Sequence, residues 1–310
     1  MNSEILPVFS GGVGRSGTTL IGRILRNHKD VLAGSPFEIK FLTESHGLID
    51  LVFGIRNFRK TQISRKGYFS SKIAKFESRK IRFFTFRRRM HEDWWIRTNR
   101  LGRESGIHRA LTKVKLEELL EALESDLDKP VEAARNFLFG YIRNHRLWQG
   151  ESVWIDTTPA NILYADHLYR IFPEARFIQM KRNPLDNIAS VLKEPWGPNT
   201  KKLVLDWWCD RIELSMLARE SIPSTNYLSL FLEDLVHHKR NESLKNLFDL
   251  INLDEDLKVM EYFQNEVSAD RANINRWRMD FKKPERFKSR FYEKLEYRKF
   301  DYSDYLRFID

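Results

Sequence analysis

The residues best suited to chemistry lie in a glycine-rich stretch near the N-terminus. The sequence "GGVGRSGTT", residues 11–19, follows a short apolar run and opens into an amphipathic pattern typical of a helix. Glycines let the backbone approach an anion closely, and the free N–H groups at the start of a helix favour negative charge. The spacing therefore predicts a loop that binds a phosphate-like group.

This loop departs from a nucleoside-triphosphate loop at one position. Residues 12–19 have the GxxxxG spacing, but Thr18 stands where the lysine belongs. Arg15, three residues earlier, offers a planar and permanently charged fork that suits phosphate or sulfate oxygens. Because that lysine reaches the terminal phosphates of ATP or GTP, its absence disfavours a kinase or ATPase without excluding one.

A second stretch, "FIQMKRNPLDNIASVLKEPWG" at 177–197, repeats the strand–loop–helix pattern. Arg182 is expected at the carboxyl end of the strand, and Ser190 lies about two turns along the following helix. Asp186 is expected to cap the helix or to form a local salt bridge. Ligands of parallel sheets gather at the carboxyl ends of strands. The two stretches together thus predict one ligand with two separated anionic groups.

These motifs resemble those of sulfotransferases that use 3′-phosphoadenosine 5′-phosphosulfate (PAPS). "GGVGRSGTTL" resembles their 5′-phosphosulfate loop, and "RNPLDNIAS" resembles their 3′-phosphate motif with the same arginine–serine interval. "WIDTTPAN…LYRIFPEARFIQMKR" resembles the stretch before that motif in the Golgi, tyrosyl-protein and bacterial branches. "FLEDL" is similar to their YEDL element, with Leu232 in place of tyrosine, and "NINRWR" at 273–278 is similar to a late Arg-Trp segment. The resemblance covers about 8–40 and 150–280.

The resemblance implies a role for each matching residue. The 5′-phosphosulfate would be held by Arg15, Ser16, Gly17, Thr18 and Thr19. Arg182 and Ser190 would hold the 3′-phosphate, and Arg276 and Trp277 would close over the nucleotide. PAPS would be the co-substrate and PAP, its desulfated form, the product. The family is not expected to need a metal ion.

Sulfuryl transfer also needs a base for the acceptor hydroxyl and positive charge at the leaving phosphate. Glu38, in "GSPFEIKF", is the candidate base, and Glu44 is the alternative. Arg15 is expected to neutralise the leaving phosphate. Some relatives place a lysine where this chain has Thr157, so Lys40 or Lys181 would have to replace it.

Strand-like and helix-like patterns alternate along the chain. Apolar runs predict strands at 5–10, 153–159, 175–182 and 226–230, and 31–34 is predicted to be either a strand or a loop. The patterns at 18–27, 35–53, 114–125 and 131–147 favour helices. This order predicts a P-loop-like three-layer α/β/α sandwich with a central parallel sheet of about five strands. We expect one sulfotransferase domain over 1–310, with 55–147 inserted as a mostly helical substrate or lid region.

The chain carries an excess of positive charge, part of it in one segment. The net charge is +10, from 53 basic and 43 acidic residues, and 55–103 mixes Arg and Lys with aromatics. Such a face suits an anionic ligand or acceptor. It is also compatible with nucleic-acid binding, but a solvated surface or the lining of an anionic pocket is the preferred interpretation.

Other features narrow the class of protein. The lone cysteine, Cys209, excludes an intramolecular disulfide and fits a reducing compartment. The adjacent His237 and His238 suggest surface residues rather than metal ligands. No apolar run reaches the roughly 20 residues of a membrane helix, and the start lacks signal-peptide features. The sequence thus predicts a cytoplasmic protein with no transmembrane segment.

Three functions remain in order of preference. The first is a PAPS-dependent sulfotransferase acting on a hydroxyl of a glycan, lipid-linked sugar, peptide tyrosine or small molecule, with no nucleic-acid partner. The second is a P-loop kinase or NTPase in which Asp156, at the end of "VWID", holds magnesium. The third is a non-catalytic anion-binding or nucleic-acid-binding protein. The sequence leaves the acceptor and the oligomeric state open.

Overall fold

A five-stranded parallel sheet forms the centre of the computed structural model, which describes residues 5–54, 78–98, 102, 104–298 and 300–309. The strand order is β2-β5-β1-β6-β7, and every neighbouring pair is parallel. These strands are β1 (Leu6–Gly12), β2 (Val31–Ala33), β5 (Val153–Asp156), β6 (Arg176–Lys181) and β7 (Tyr227–Phe231). A separate antiparallel pair consists of β3 (Arg97–Thr98) and β4 (Glu104–Ser105). The predicted parallel sheet of about five strands is confirmed.

Helices cover both faces of the sheet, as predicted for a three-layer sandwich. In chain order they are α1 (Thr18–Leu25), α2 (Leu48–Phe53), α3 (Arg79–Glu92), α4 (Lys113–Ser125), α5 (Pro130–Arg143), α6 (Ala165–Ile171), α7 (Pro184–Val191), α8 (Lys201–Arg219), α9 (Arg240–Ile251), α10 (Leu257–Glu266), α11 (Ala269–Ala272), α12 (Trp277–Asp280) and α13 (Pro284–Arg298). Short 3₁₀ turns and one π-helical turn, Asp234–His238, connect them.

Side chains on the two faces of the sheet pack into two different cores, because successive side chains of a strand point to opposite sides. Phe9 and Phe177 enter a core shared with helices α2 to α6. Val8 and Ile178 enter another, shared with α1, α9 and α10. A third cluster joins α7, α8, α12 and α13. The helices therefore clamp the sheet on both sides and hold its strand ends in fixed positions.

One predicted helical stretch has a different structure. Of residues 35–53, only α2 is helical. Ser35 precedes a proline, and Ser35, Lys40 and His46 have positive φ of 55°, 56° and 58°. The N–H groups of Ile39 and Lys40 bond to side chains after β5, more than 100 residues away. The prediction was wrong because these backbone donors have tertiary partners instead of helical ones.

Smaller departures concern where helices end. The helix predicted at 18–27 ends at Leu25, and the one predicted at 131–147 ends at Arg143. After β5 the chain forms a 3₁₀ turn, Pro159–Tyr164, followed by α6.

The basic segment 55–103 is described only in part, since 55–77 lie outside the described residues. Helix α3 buries Phe83, Phe86 and Met90 in the same core as Phe9 of the sheet. Helices α4 and α5 contribute to that core as well. The described part of 55–147 is thus mostly helical and packed on the sheet, whereas its role as an acceptor region or lid stays a prediction.

The strand order creates a crevice beside β1. The chain leaves β1 toward β2 on one side, while β6 lies on the other, and Gly12 is in register with Met180. The loops that follow β1 and β6 therefore begin side by side, at the place where open α/β sheets bind ligands. Separately, none of the described helices has the length and apolar character to cross a bilayer. The cytoplasmic location stays a prediction.

Candidate active site

The loop after β1 turns its backbone donors toward the crevice. Arg15 and Gly17 adopt left-handed backbone conformations, with φ of 72° and 97°. Such alternation turns successive N–H groups toward one side and forms an anion-binding concavity. Gly17 is the N-cap of α1 and provides no side-chain cap, so the first-turn N–H groups at Thr18 and Thr19 have no intrahelical partner. The loop leaves open donors where an anion is predicted.

Close packing explains why this loop is rich in glycine. A Cβ at Gly12 would lie 2.4 Å from the Met180 carbonyl oxygen, and one at Gly14 would lie 2.7 Å from the Trp196 indole. The first neighbour is backbone and cannot move aside cheaply. Glycine at 12 thus lets the loop pass against β6.

Arg182 lies against the same loop. Its Nη1 donates to the Arg15 carbonyl oxygen at 3.1 Å, and its Nη2 donates to the carbonyls of Ala272 and Asn273 at 3.3 and 2.8 Å. Arg15 in turn donates from Nε to Ser190 Oγ at 3.0 Å. Burial lowers the pKa of Arg182. The two predicted anion sites are therefore parts of one site, and the Arg15 guanidinium reaches the serine of the second motif.

Buried side chains hold the loop after β6 in place. Asn183 Oδ1 accepts from the N–H groups of Leu185 and Asp186 at 2.9 and 3.4 Å, and Pro184 occupies the first helical position. Glu233, the first of the two acidic residues of "FLEDL", accepts from the Asn183 N–H at 2.9 Å. Burial raises the pKa of Glu233. The "FLEDL" element thus fixes the backbone of the loop that follows Arg182.

Asp186 fixes the late Arg-Trp segment. Its carboxylate accepts from the N–H groups of Asn275 at 2.6 Å and Trp277 at 2.7 Å. The Trp277 ring is 1% exposed in the third core cluster and does not line the cavity, whereas Arg276 does. The structure therefore brings Arg276 to the site but places the Trp277 side chain in the core, where an aromatic ring at the start of α12 is sheltered from water.

A cavity of about 1020 Å³ collects most of the predicted residues. Its described lining includes nine basic and five acidic side chains, which favours an anionic ligand. The predicted residues that line it are Arg15, Gly17, Thr18, Thr19, Glu38, Lys40, Glu44, Arg182, Asp186, Ser190 and Arg276. Ser16 does not line it, and its buried Oγ has no hydrogen-bond partner among the described residues. Arg182 Nε, which belongs to a lining residue, is also buried without such a partner, and this fits a site that receives a polar ligand.

The loop that carries Glu38 is tied to the end of β5. Asp156 Oδ1 accepts from the Ile39 N–H at 2.9 Å, and both the N–H and the hydroxyl of Thr157 donate to the Phe37 carbonyl at 2.9 and 3.0 Å. Glu38 lies between these anchors and faces Lys40, with 3.5 Å between Oε2 and Nζ. Thr157 stands where some relatives have a lysine. In this chain it instead anchors the loop that carries Lys40.

Asp156 itself is a structural residue. Besides Ile39, it accepts from Thr158 Oγ at 3.1 Å and Asn161 Nδ2 at 2.7 Å. Burial raises its pKa to about 6, against the lowering effect of these hydrogen bonds. Both carboxylate oxygens thus have protein donors, which argues against the magnesium role of the kinase interpretation. No group of three or more His, Cys, Asp or Glu side chains in the described part of the chain is arranged to hold a metal ion.

The two candidate glutamates have different surroundings. Glu44 accepts from Trp94 Nε1 at 2.8 Å and pairs with Arg89, Arg97 and Lys40 at 3.5, 3.8 and 3.8 Å. Among the described residues, Glu38 pairs only with Lys40. Glu44 therefore serves as the centre of a structural ion cluster, and Glu38 is the freer carboxylate.

The two candidate lysines differ in their position relative to the cavity. Lys40 lines the cavity. Lys181 is buried elsewhere, with its Nζ 4.5 Å from the centre of the Tyr305 ring, and burial lowers its pKa. The geometry favours Lys40.

Several cavity residues were not predicted from the sequence. They are Arg23, Lys193, Trp196, Trp207, Arg211 and Arg271. Arg23 could have been predicted from the sequence. It follows Thr19 by four positions, so both residues lie on the same face of α1. The others reach the cavity from α8, α11 and the loop after α7, and only tertiary packing reveals them.

Fold and cavity together define a class: an α/β protein of parallel sheet with a basic cavity at the switch point of its strands. The sulfotransferase family model matches residues 7–256, and the chain belongs to this family. It is accordingly a sulfotransferase, and the family implies PAPS as the sulfuryl donor. The kinase or NTPase alternative is not favoured.

Solved structures support the fold. The sulfotransferase domain of the Synechococcus PCC 7002 olefin synthase is 16% identical, with a TM-score of 0.52, and the match covers 97% of this chain and 96% of that one. A sulfotransferase domain from the curacin biosynthetic pathway (13% identity, TM-score 0.47, 87% and 81% covered) and retinol dehydratase in complex with androsterone and inactive cofactor PAP (12%, 0.38, 98% and 85%) are more distant. No curated protein matches the chain.

Proposed function

We propose that the chain transfers the sulfuryl group of PAPS to an acceptor hydroxyl, with the donor spanning the ends of β1 and β6 and Glu38 as the base. One observation carries the proposal. Arg182 donates to the Arg15 carbonyl while Arg15 donates to Ser190, so groups from both strand ends converge on the cavity that also contains Glu38.

The donor-binding roles follow the strand ends. The loop after β1, with Arg15, Ser16, Gly17, Thr18 and Thr19, would hold the 5′-phosphosulfate through backbone N–H groups and hydroxyls. Arg182 and Ser190 would hold the 3′-phosphate. The unpartnered Arg182 Nε supplies a donor that such a ligand would satisfy.

Arg276 would cover the nucleotide from the rim of the cavity. Trp277 would act through its backbone, since its N–H bond to Asp186 fixes the segment that carries Arg276.

Glu38 would take the proton from the acceptor hydroxyl. The acceptor oxygen then forms a bond to sulfur in line with the bond that breaks between sulfur and the bridging oxygen. The electron pair of that bond goes to the 5′-phosphate, which leaves as part of PAP. Arg15 would neutralise the charge that develops on that phosphate, and Lys40, which lines the same cavity, would assist it.

The test compares Glu38→Gln with the wild type, using PAPS labelled in its sulfuryl group and a panel of phenols, sugars and lipid-linked sugars. Loss of a general base lowers turnover by about 10²–10⁴-fold. PAP affinity, measured by calorimetry, should stay within about twofold because Glu38 does not contact the donor phosphates in this account.

Glu44→Gln is the matched control. It should reduce thermal stability, since it loses ion pairs with Arg89 and Arg97, more than it changes the chemical step. Unchanged turnover in Glu38→Gln would refute its role as base.

A further inference from the structure

One wall of the cavity belongs to neither phosphate site. Trp196 and Trp207 lie side by side with 6.1 Å between ring centroids, and Trp196 is 55% exposed. Ala160 and Leu163 line the same cavity from the 3₁₀ turn packed against α8. We call Ala160, Leu163, Trp196, Trp207 and Arg211 the aromatic arm.

The aromatic arm continues from the candidate base. The 3₁₀ turn begins at Pro159, directly after Thr158, and Thr158 Oγ accepts from the Lys40 N–H at 3.4 Å. A molecule that presents a hydroxyl to Glu38 can thus extend along this turn toward α8. The arm has an apolar and aromatic surface that suits a ring or a hydrocarbon chain.

Arg211 gives the arm a charged end. Its guanidinium carbon lies 4.1 Å from the centre of the Trp207 ring. It has no hydrogen bond or ion pair with any described residue, although it lines the cavity and burial lowers its pKa to about 10. A guanidinium has five N–H donors, and a partly buried charge is unfavourable without a direct anionic partner. Asp210 and Tyr164 act on Arg211 without bonding to it, so a ligand carboxylate would supply the direct partner.

We infer that Arg211 binds a carboxylate of the acceptor, which makes the substrate a hydroxyl compound that also carries an acidic group and a ring or apolar portion. This inference rests on the proposed function. Stacking on Trp207 holds the guanidinium plane, and a fixed planar fork matches a carboxylate with two parallel hydrogen bonds. Arg182 and Ser190 already serve the donor, so Arg211 is free for the acceptor.

The experiment measures binding of two matched probe pairs to the PAP-loaded protein by calorimetry. The pairs are 4-hydroxyphenylacetate with its methyl ester, and 4-nitrophenyl β-D-glucuronide with the corresponding glucoside. The wild type should favour the acid of a pair by about tenfold or more, the scale of a hydrogen bond to a charged group. Arg211→Gln should reduce this preference to within about twofold, and Arg211→Lys should keep part of it.

Lys202→Gln is the matched control, since it removes one positive charge from the exposed face of the same helix. It should keep the wild-type preference. Equal binding of acid and neutral probe by the wild type, including no binding of either, overturns the inference. So does a preference that survives in Arg211→Gln, or a loss of PAP affinity in that variant, which would assign Arg211 to the donor.

The proposed function fails separately, if the wild type does not bind PAP. The acid preference is then measured without PAP, with the same expected and contradicting results.

Discussion

The loops after β1 and β6 both lead from a buried parallel strand into a helix, yet they present their donors in opposite ways. The N-cap of helix α1 is Gly17, which supplies no side-chain cap. The N-cap of helix α7 is Asn183, whose side chain already accepts from two first-turn N–H groups. The first strand end therefore offers bare backbone donors, and the second offers the side chains of Arg182 and Ser190.

This difference indicates how each end would recognise its anion. Backbone recognition depends on loop conformation, so it should be sensitive to the positive φ at Gly17 and tolerant of side-chain chemistry elsewhere in the loop. Side-chain recognition depends on one guanidinium, so it should be sensitive to that group and tolerant of modest loss in helix stability.

The largest expected effect is at the side-chain end. Arg182→Gln should weaken PAP binding by about hundredfold, because it removes a charged, geometrically fixed donor set from a phosphate. Calorimetric titration with PAP measures this. Arg182→Lys keeps the charge and should recover only part of the affinity. If Arg182→Gln binds PAP as tightly as the wild type, the end of β6 is not part of the binding site.

At the backbone end, Gly17→Ala should weaken PAP binding by about tenfold, since a Cβ at φ 97° is strained and the loop must move to relieve it. Its Cβ would also lie 2.9 Å from a Leu232 methyl group. Gly150→Ala is the control. Gly150 has a similar φ of 103° in open space outside the cavity, so this variant should lose stability without losing PAP affinity. Equal affinity losses in both variants would contradict a local role for Gly17.

A third strand end, that of β5, carries the buried Asp156, whose protonation should affect the stability of the fold. Burial raises its pKa to about 6, so the folded state holds a proton that the unfolded state has released between about pH 4 and 6. The stability of the wild type should therefore fall relative to Asp156→Asn as pH rises through this window and level off above it. Melting temperatures of both proteins across this range should show a change of several degrees. A difference that stays constant would contradict the assignment.

The smallest effect concerns the cap of α7. Asn183→Ala should lower the free energy of unfolding by about 1 kcal/mol, as for other lost N-caps, and the melting temperature by about 2–4 °C. PAP affinity should change by less than about threefold, because the first-turn donors of α7 are not the proposed ligands. Asn183→Asp keeps the accepting oxygen but loses the Nδ2 donor to the Phe308 carbonyl, so it should recover only part of the stability. A loss of PAP affinity that equals the effect of Gly17→Ala would erase the distinction between the two strand ends.

Sequence patterns predicted what local chemistry controls. Each sheet strand is a short apolar run, and the glycine loop and the Arg182–Ser190 interval mark the two loops of the proposed nucleotide site. The conformation of segment 35–47 was not predictable, because the N–H groups of Ile39 and Lys40 bond to Asp156 and Thr158 across more than 100 residues.

Packing decided the other departures. Trp277 matches the late Arg-Trp motif, but its side chain is buried against α13. In the sequence Arg211 resembles an ordinary surface arginine of a helix, and only the folded structure shows that it lines the cavity. Such placements depend on contacts between distant elements, which a single sequence does not reveal.

The central claim is that two strand ends bind the two phosphates of one nucleotide, and a ligand comparison tests it most directly. The affinities of PAP, adenosine 5′-monophosphate and adenosine 3′-monophosphate would be measured for the wild type and Arg182→Gln. Removing the 3′-phosphate should weaken binding strongly in the wild type and hardly at all in Arg182→Gln, while removing the 5′-phosphate should weaken both proteins alike. If Arg182→Gln remains as sensitive to the 3′-phosphate as the wild type, Arg182 does not bind that group and the two-ended account is wrong.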